Sequence, residues 1–344
     1  MIKAATIFTC ILLTILQTAW SQRGPGSFFV SNNTMNGQDS AYAILEDALQ
    51  LMQKSTVSKL SISWDSLKSA ARQQLISAST GRDAYPVINW CAAQAQLNHS
   101  FLMPKANASL YANDSAALKR KPTLREVVGR IDADNAADGI GYISIPRMAT
   151  TDEGLCRLLA DSLQNLVRKL SNGGAVNWII DLRNNSGGNC WPMLAGMGPL
   201  LGEGVCGWFV WPNRKSSIRY AGGTAFHNQT AMCSVSSVYV LPEEKKKNIV
   251  VLTGTNTSSA GEILALAFRG MNNVRFMGEP TAGLTTGNAT YTMIDGSVLV
   301  LSVCREADRK GNLLEGKLQP DDKIASSRTE DAARIAAVMW LQSL

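Results

Sequence analysis

The chain has 344 residues, 45% apolar and 17% charged, with a net charge of +6. That balance describes a folded protein with a sizeable core and excludes a disordered chain. The charge is mild, and the one basic run, EEKKKN at 243–248, carries its own glutamates, so no electrostatic stripe for nucleic acid is expected.

The N-terminus, MIKAATIFTCILLTILQTAWSQ, sets a lysine before an apolar stretch and small residues before Gln22. This is the layout of an export signal, so residues 1–21 are expected to be removed. The apolar run is short for a membrane span, and none is expected in the mature chain. Export would place the six remaining cysteines, Cys91, Cys156, Cys190, Cys206, Cys233 and Cys304, where disulfides can form. Neither their spacing nor the two histidines resembles a metal site, and no cofactor is expected. Several Asn-x-Ser/Thr sequons fall inside the motifs below, where a glycan would block access. A bacterial periplasm or the cell exterior fits best.

From about Ser40 to Asn98 the apolar spacing is helical, as in AYAILEDALQLMQK and SLKSAARQQLISA, with Ser63 and Asp65 as candidate caps. Residues 104–125 lack periodicity and read as a loop or linker. Beyond Gly139 the pattern alternates. GIGYISI, NWIIDL, VYVL (238–241), NIVVL, VRFMG and VLVLSV read as strands, and GLCRLLADSLQNLVRKL as a helix. Asp295-Gly296 marks a hairpin turn. The expected organisation is a helical N-terminal subdomain with its linker over 22–125 and an α/β core over 126–344.

Four stretches carry chemistry. LNHSF holds His99 and Ser100; histidine is the side chain whose ordinary pKa suits a general base, although most lone histidines are structural. IIDLRNNSGGNCWPML places Gly187-Gly188 after a strand, where backbone N–H groups can approach an anion; the plain reading is a turn with Asp181 and Arg183 as an ion pair. TGTNTSSAGE puts Ser258-Ser259 at a strand-to-helix junction. Ser259 with Glu262 fits a capping box, and it equally fits a nucleophile on a tight turn. Thr281–Asn288 reads as a loop lining a cleft, and LLEGKLQPDD offers Glu315 as a group to orient a histidine.

In order and wording, HS, GIGYISI, DLRNNSGG, TSSAGE, GEPTAG and QPDD resemble the C-terminal-processing (tail-specific) serine peptidases, in the branch of the tricorn core and the retinoid-binding-protein-like bacterial peptidases. The resemblance covers roughly His99 to Lys323. It implies a crotonase-like β-β-α spiral core behind a helical N-terminal segment. It further implies Ser259 as nucleophile, His99 as base, and the N–H groups of Ala260 with Gly187 or Gly188 as the oxyanion hole.

Three departures shape the reading. Where relatives with a Ser–Lys dyad carry lysine after PT-x-G, this chain has Leu284, which leaves the base to His99. Glu315 stands one residue closer to Pro320 than in the branch, with Asp308 as fallback. Ser100 follows the histidine, whereas the branch's serine precedes it, at the position of Asn98. About 40 residues separate His99 from Gly139, too few for a PDZ domain of ordinary domain size. The expected function is hydrolysis of a peptide or polypeptide substrate. The alternatives are a non-catalytic peptide- or apolar-ligand-binding protein on the same fold, and an esterase.

Overall fold

The computed structural model describes residues 36–55, 57, 62–111, 131–148, 150–327 and 329–344. The expected signal segment 1–21 and most of the expected linker lie outside the described residues. Two units divide the chain. One is built on Arg120–Thr285 and Arg305–Leu344, the other on Leu12–Lys119 and Thr286–Cys304.

Along the chain the second unit opens with α1 (Gly37–Ser55), α2 (Trp64–Gln73) and α3 (Ala84–Gln94), then β1 (Phe101–Met103) and α4 (Lys105–Tyr111). Ser63 caps α2 as its position foretells, with its hydroxyl accepting the Ser66 N–H. In α3, Ala84, Val87, Ile88 and Cys91 are buried at helical spacing. The stretch expected to be irregular from Pro104 instead begins with helix α4. Proline suits a helix start, and the Pro104 carbonyl accepts the N–H of Asn107 and Ala108.

The first unit follows with β2 (Asp132–Ala137), β3 (Ile140–Ser144), α5 (Glu153–Asn172), β4 (Asn177–Asp181), α6 (Cys190–Leu201), β5 (Gly204–Trp211), β6 (Arg214–Ala221), β7 (Thr224–His227), β8 (Thr230–Ser234), β9 (Ile249–Thr253), α7 (Ala260–Phe268) and β10 (Val274–Gly278). After β11 (Thr286–Thr292) and β12 (Val298–Ala307) come β13 (Asp322–Lys323) and α8 (Ala332–Gln342).

Six of these strands form one sheet in the order β13-β10-β9-β4-β3-β2. Neighbours from β13 to β3 run parallel, and β2 closes the edge antiparallel. Every residue of β9 is buried, as expected for a parallel strand covered on both faces. Ala333, Ala337 and Leu341 of α8 pack on Ile140, Tyr142, Ile179, Val250 and Leu252. Strands β5 to β8 form an antiparallel meander, with Arg305–Ala307 of β12 paired to β5. In the second unit β1 pairs with Val298–Val300, and the Asp295-Gly296 turn joins β11 to β12 as the hairpin signal requires. The architecture is mixed α/β.

VYVL is not a strand. Val238 and Val240 are 49% and 78% exposed. The segment instead lies along α5, where the Gln164 side chain accepts the Tyr239 N–H and Asp161 accepts from Ser236. All six described cysteines are buried; Cys91, Cys156, Cys190, Cys206 and Cys233 are free thiols, and the Cys304 Sγ lies 3.7 Å from the Gly287 carbonyl.

Candidate active site

The first unit supplies a strained turn. Strand β9 ends at Thr253, and the chain then closes a short turn in which Thr257 Oγ accepts the Gly254 N–H and donates to the Leu182 carbonyl. Ser258 donates its N–H to the Asn185 carbonyl at 3.0 Å. The turn after β9 is thereby tied to the turn after β4.

Ser259 stands at the N-terminus of α7 with φ 53° and ψ −120°. A non-glycine residue held at such angles costs about 1–3 kcal/mol, and the surroundings must enforce it. Glu262 does much of the enforcing. Its buried carboxylate accepts the Ser259 N–H at 2.8 Å, the Gly283 N–H at 2.9 Å and the Thr281 hydroxyl. Burial raises the Glu262 carboxyl above its ordinary range, and these donors oppose the rise. So the expected capping box is in place, Glu262 accepting the Ser259 N–H and the Ser259 side chain facing the Glu262 backbone, but the Ser259 hydroxyl makes no full hydrogen bond to the helix. The serine oxygen is left for other work.

Beside it runs the glycine turn. A Cβ on Gly187 would stand 2.9 Å from both Ser259 Cβ and the Ser258 carbonyl oxygen. Only a residue without a side chain permits that approach, and φ is +94° at Gly187 and +116° at Gly188. The Gly187 N–H is committed to Asn185 Oδ1 at 3.0 Å. Ala260 opens α7, where first-turn N–H groups have no acceptor within the helix. Ser259, Ala260, Gly187 and Gly188 thus lie together. Asp181 and Arg183 form the ion pair that the plain reading of their motif describes, with Tyr142 and Asp331 completing it.

The second unit holds a buried imidazole. His99 is 6% exposed, and its Nδ1 lies 3.0 Å from the Thr286 carbonyl and 3.1 Å from Thr286 Oγ. A carbonyl only accepts, so Nδ1 carries the proton and Nε2 keeps its lone pair. Burial pushes the ring's pKa down to about 4, the Thr286 bond acting the other way. Behind the ring the hydroxyls continue from Thr286 to Ser302 at 3.0 Å, and from Ser100 to Ser302 at 3.2 Å. Asn288 anchors the His99 carbonyl at 2.8 Å. Ser100 therefore reaches the histidine only through two other hydroxyls.

Glu315 belongs to the first unit. Its side chain is 57% exposed and faces Arg305 at 3.4 Å, while the place behind Nδ1 belongs to Thr286. The fallback Asp308 is occupied in closing its own turn, accepting from Lys310 and Asn312. The other histidine, His227, meets Ser216 Oγ at 2.7 Å and packs against Trp191 and Phe209, a structural setting. Two participants escaped the sequence reading. Thr286, expected in a loop, opens strand β11, and Ser302 carries no signal beyond its place in an apolar strand.

A strained serine at a helix N-terminus beside a glycine turn is a geometry that a serine hydrolase can use. The chain belongs to peptidase family S41, whose model matches residues 139–324. It is 32% identical over 187 residues to the nisin-resistance protein of Lactococcus lactis, covering 54% of each chain. It is 26% identical over 215 residues to the carboxy-terminal processing protease CtpA of Bacillus subtilis, covering 61% of this chain and 40% of that one. The chain spans about half the length of the curated relatives it matches. Among solved structures, a lipoprotein from Streptococcus agalactiae superposes with a TM-score of 0.65 at 20% identity, over 91% of this chain and 99% of that one. The photosystem II D1 C-terminal processing protease gives 0.52 at 14% identity, over 83% and 93%. Both share the fold.

Proposed function

We propose that the protein is an exported serine endopeptidase with a crotonase-like spiral core. It hydrolyses peptide bonds through an acyl-enzyme on Ser259, with His99 as general base. The observation that carries this is the Ser259 turn: positive φ, a backbone N–H tied down by Glu262, and a hydroxyl not spent on capping. Ser259 Oγ attacks the substrate carbonyl and its proton passes to His99 Nε2, the nitrogen left unprotonated by the Thr286 bond. The proton goes on to the departing amine, and water, deprotonated by the same nitrogen, releases the acyl group. The oxyanion is received by the Ala260 N–H with that of Gly188, because Asn185 already holds the Gly187 N–H. Losing one such donor costs roughly 10²–10³ in rate.

A polypeptide substrate is supported by the processing proteases among the relatives. Export is supported by the N-terminal sequence and by the lipoprotein among the structural neighbours. No helix among the described residues is long and apolar enough to cross a membrane.

The test is a fluorophosphonate probe on the purified protein, mapped by mass spectrometry, beside Ser259→Ala and His99→Ala. Label on Ser259 that is lost in both variants is expected. A folded wild type that takes no label would move the binding-protein reading ahead.

A further inference from the structure

Glu306 is the anomaly of the first unit. It is 1% exposed, and neither carboxyl oxygen has a hydrogen-bond partner. A buried charge without partners is costly enough that the group takes up a proton instead. The backbone places it with care. Glu306 pairs with Phe209 across the β12–β5 ladder, so both side chains share one face of the sheet. That face holds Trp191, whose ring centroid lies 6.5 Å from that of Phe209.

The Glu306 N–H donates to the Thr285 carbonyl at 3.3 Å. Thr285 ends the same loop whose beginning, Thr281 and Gly283, is held by the Glu262 carboxylate. One loop is therefore held at its start by the Glu262 carboxylate and at its end by the Glu306 backbone N–H. The Glu262 charge raises the Glu306 carboxyl further, and an ionised Glu306 would raise the buried Cys190 thiol at the start of α6. Glu262 from α7 and Cys190 from α6 are the titratable groups that face it, and burial with the Glu262 charge holds its carboxyl well above the ordinary range. The donors are shared unequally: Glu262 has the Ser259 N–H, the Gly283 N–H and the Thr281 hydroxyl, and Glu306 has none.

We propose that Glu306 is a positioning residue for the nucleophile turn: in a buried two-carboxyl pair Glu262 carries the charge and Glu306 the proton, and loss of that proton loosens Ser259. The role is exercised through Glu262, whose bond to the Ser259 N–H weakens when a second negative charge appears beside it in a low-dielectric interior. The inference builds on the reading of Ser259 as nucleophile, and its test separates the two.

Glu306→Gln keeps the shape and removes the proton equilibrium. Unfolding of the wild type releases the Glu306 proton once the pH exceeds the ordinary carboxylate range, so wild-type stability falls as pH rises while the variant is spared. The Tm of Glu306→Gln is expected to gain steadily on wild type from about pH 5 to about pH 9. Over the same range, hydrogen exchange of the peptide spanning Ser259–Glu262 is expected to lose about tenfold in protection in wild type but not in the variant. Fluorophosphonate labelling of Ser259 should show an alkaline fall that Glu306→Gln abolishes. A constant Tm difference, or an alkaline loss of protection shared by both proteins, overturns the proposal. If Ser259 takes no label at any pH, the peptidase reading fails by itself, and the Tm and exchange results still decide where the proton sits and whether it governs the turn.

Discussion

His99 Nδ1 sits 3.0 Å from the carbonyl oxygen of Thr286, and that contact fixes which ring nitrogen can take a proton. In many serine hydrolases a carboxylate occupies the corresponding place. Here the acceptor is neutral, and among the described residues no anion offsets the cost of charging the buried ring.

That cost makes a pH prediction. Burial lowers the folded pKa of His99 to about 4, from an ordinary value of 6.5. Unfolding therefore takes up a proton at intermediate pH, so the stabilisation is complete above about 6.5 and is lost as pH falls through about 4. Wild type should lose about 3 kcal/mol more than His99→Gln between neutral pH and pH 4, measured by denaturant unfolding across that range. The acid limb of Ser259 labelling should lie near 4 rather than 6.5.

The strain at Ser259 should be measurable as stability. Glycine tolerates φ 53° without penalty, whereas alanine does not. Ser259→Gly is expected to be more stable than Ser259→Ala by about 1 kcal/mol, with both unreactive toward the probe. Equal melting curves would remove strain from the account of this turn.

At Gly187 the expectation is reversed. Alanine there must adopt φ +94° and bring its methyl against Ser259 and Ser258. Gly187→Ala should cost about 3 kcal/mol and suppress labelling. A folded, fully reactive Gly187→Ala would separate the glycine turn from the reactivity of Ser259.

Ser100 supports the histidine only at the far end of a hydroxyl chain, through Ser302 and Thr286. Ser100→Ala is expected to cost about 1 kcal/mol in stability and to leave labelling within about threefold of wild type. Thr286→Val keeps the carbonyl bond and should behave likewise, whereas a tenfold or greater loss in either would show that the hydroxyls tune the base.

Much of this was readable from the residues. The parallel strands announce themselves as short apolar runs because both faces are covered, and the Ser259 and Gly187-Gly188 turns are marked by small residues that few other settings require. The meander β5 to β8 was not read, since GVCGWFVW hides its alternation behind an aromatic-rich run. VYVL misled because its composition is that of a strand, while its backbone groups find acceptors on α5. Thr286 and Glu306 stayed hidden for one reason: a long-range partner leaves no mark in local sequence. The Thr286 acceptor is 187 residues from the ring it holds, and Glu306 looks like any acid on a strand until its missing donors are counted.

That separation of 187 residues also has a meaning in time. A chain is made from its N-terminus, so the imidazole emerges long before the strand that fixes its tautomer, and Ser100 waits 202 residues for Ser302. A nascent fragment ending short of Thr286 carries the histidine with nothing to hold it. Chain order thus works as a clock, and the His99 tautomer is fixed only after Thr286 has been made.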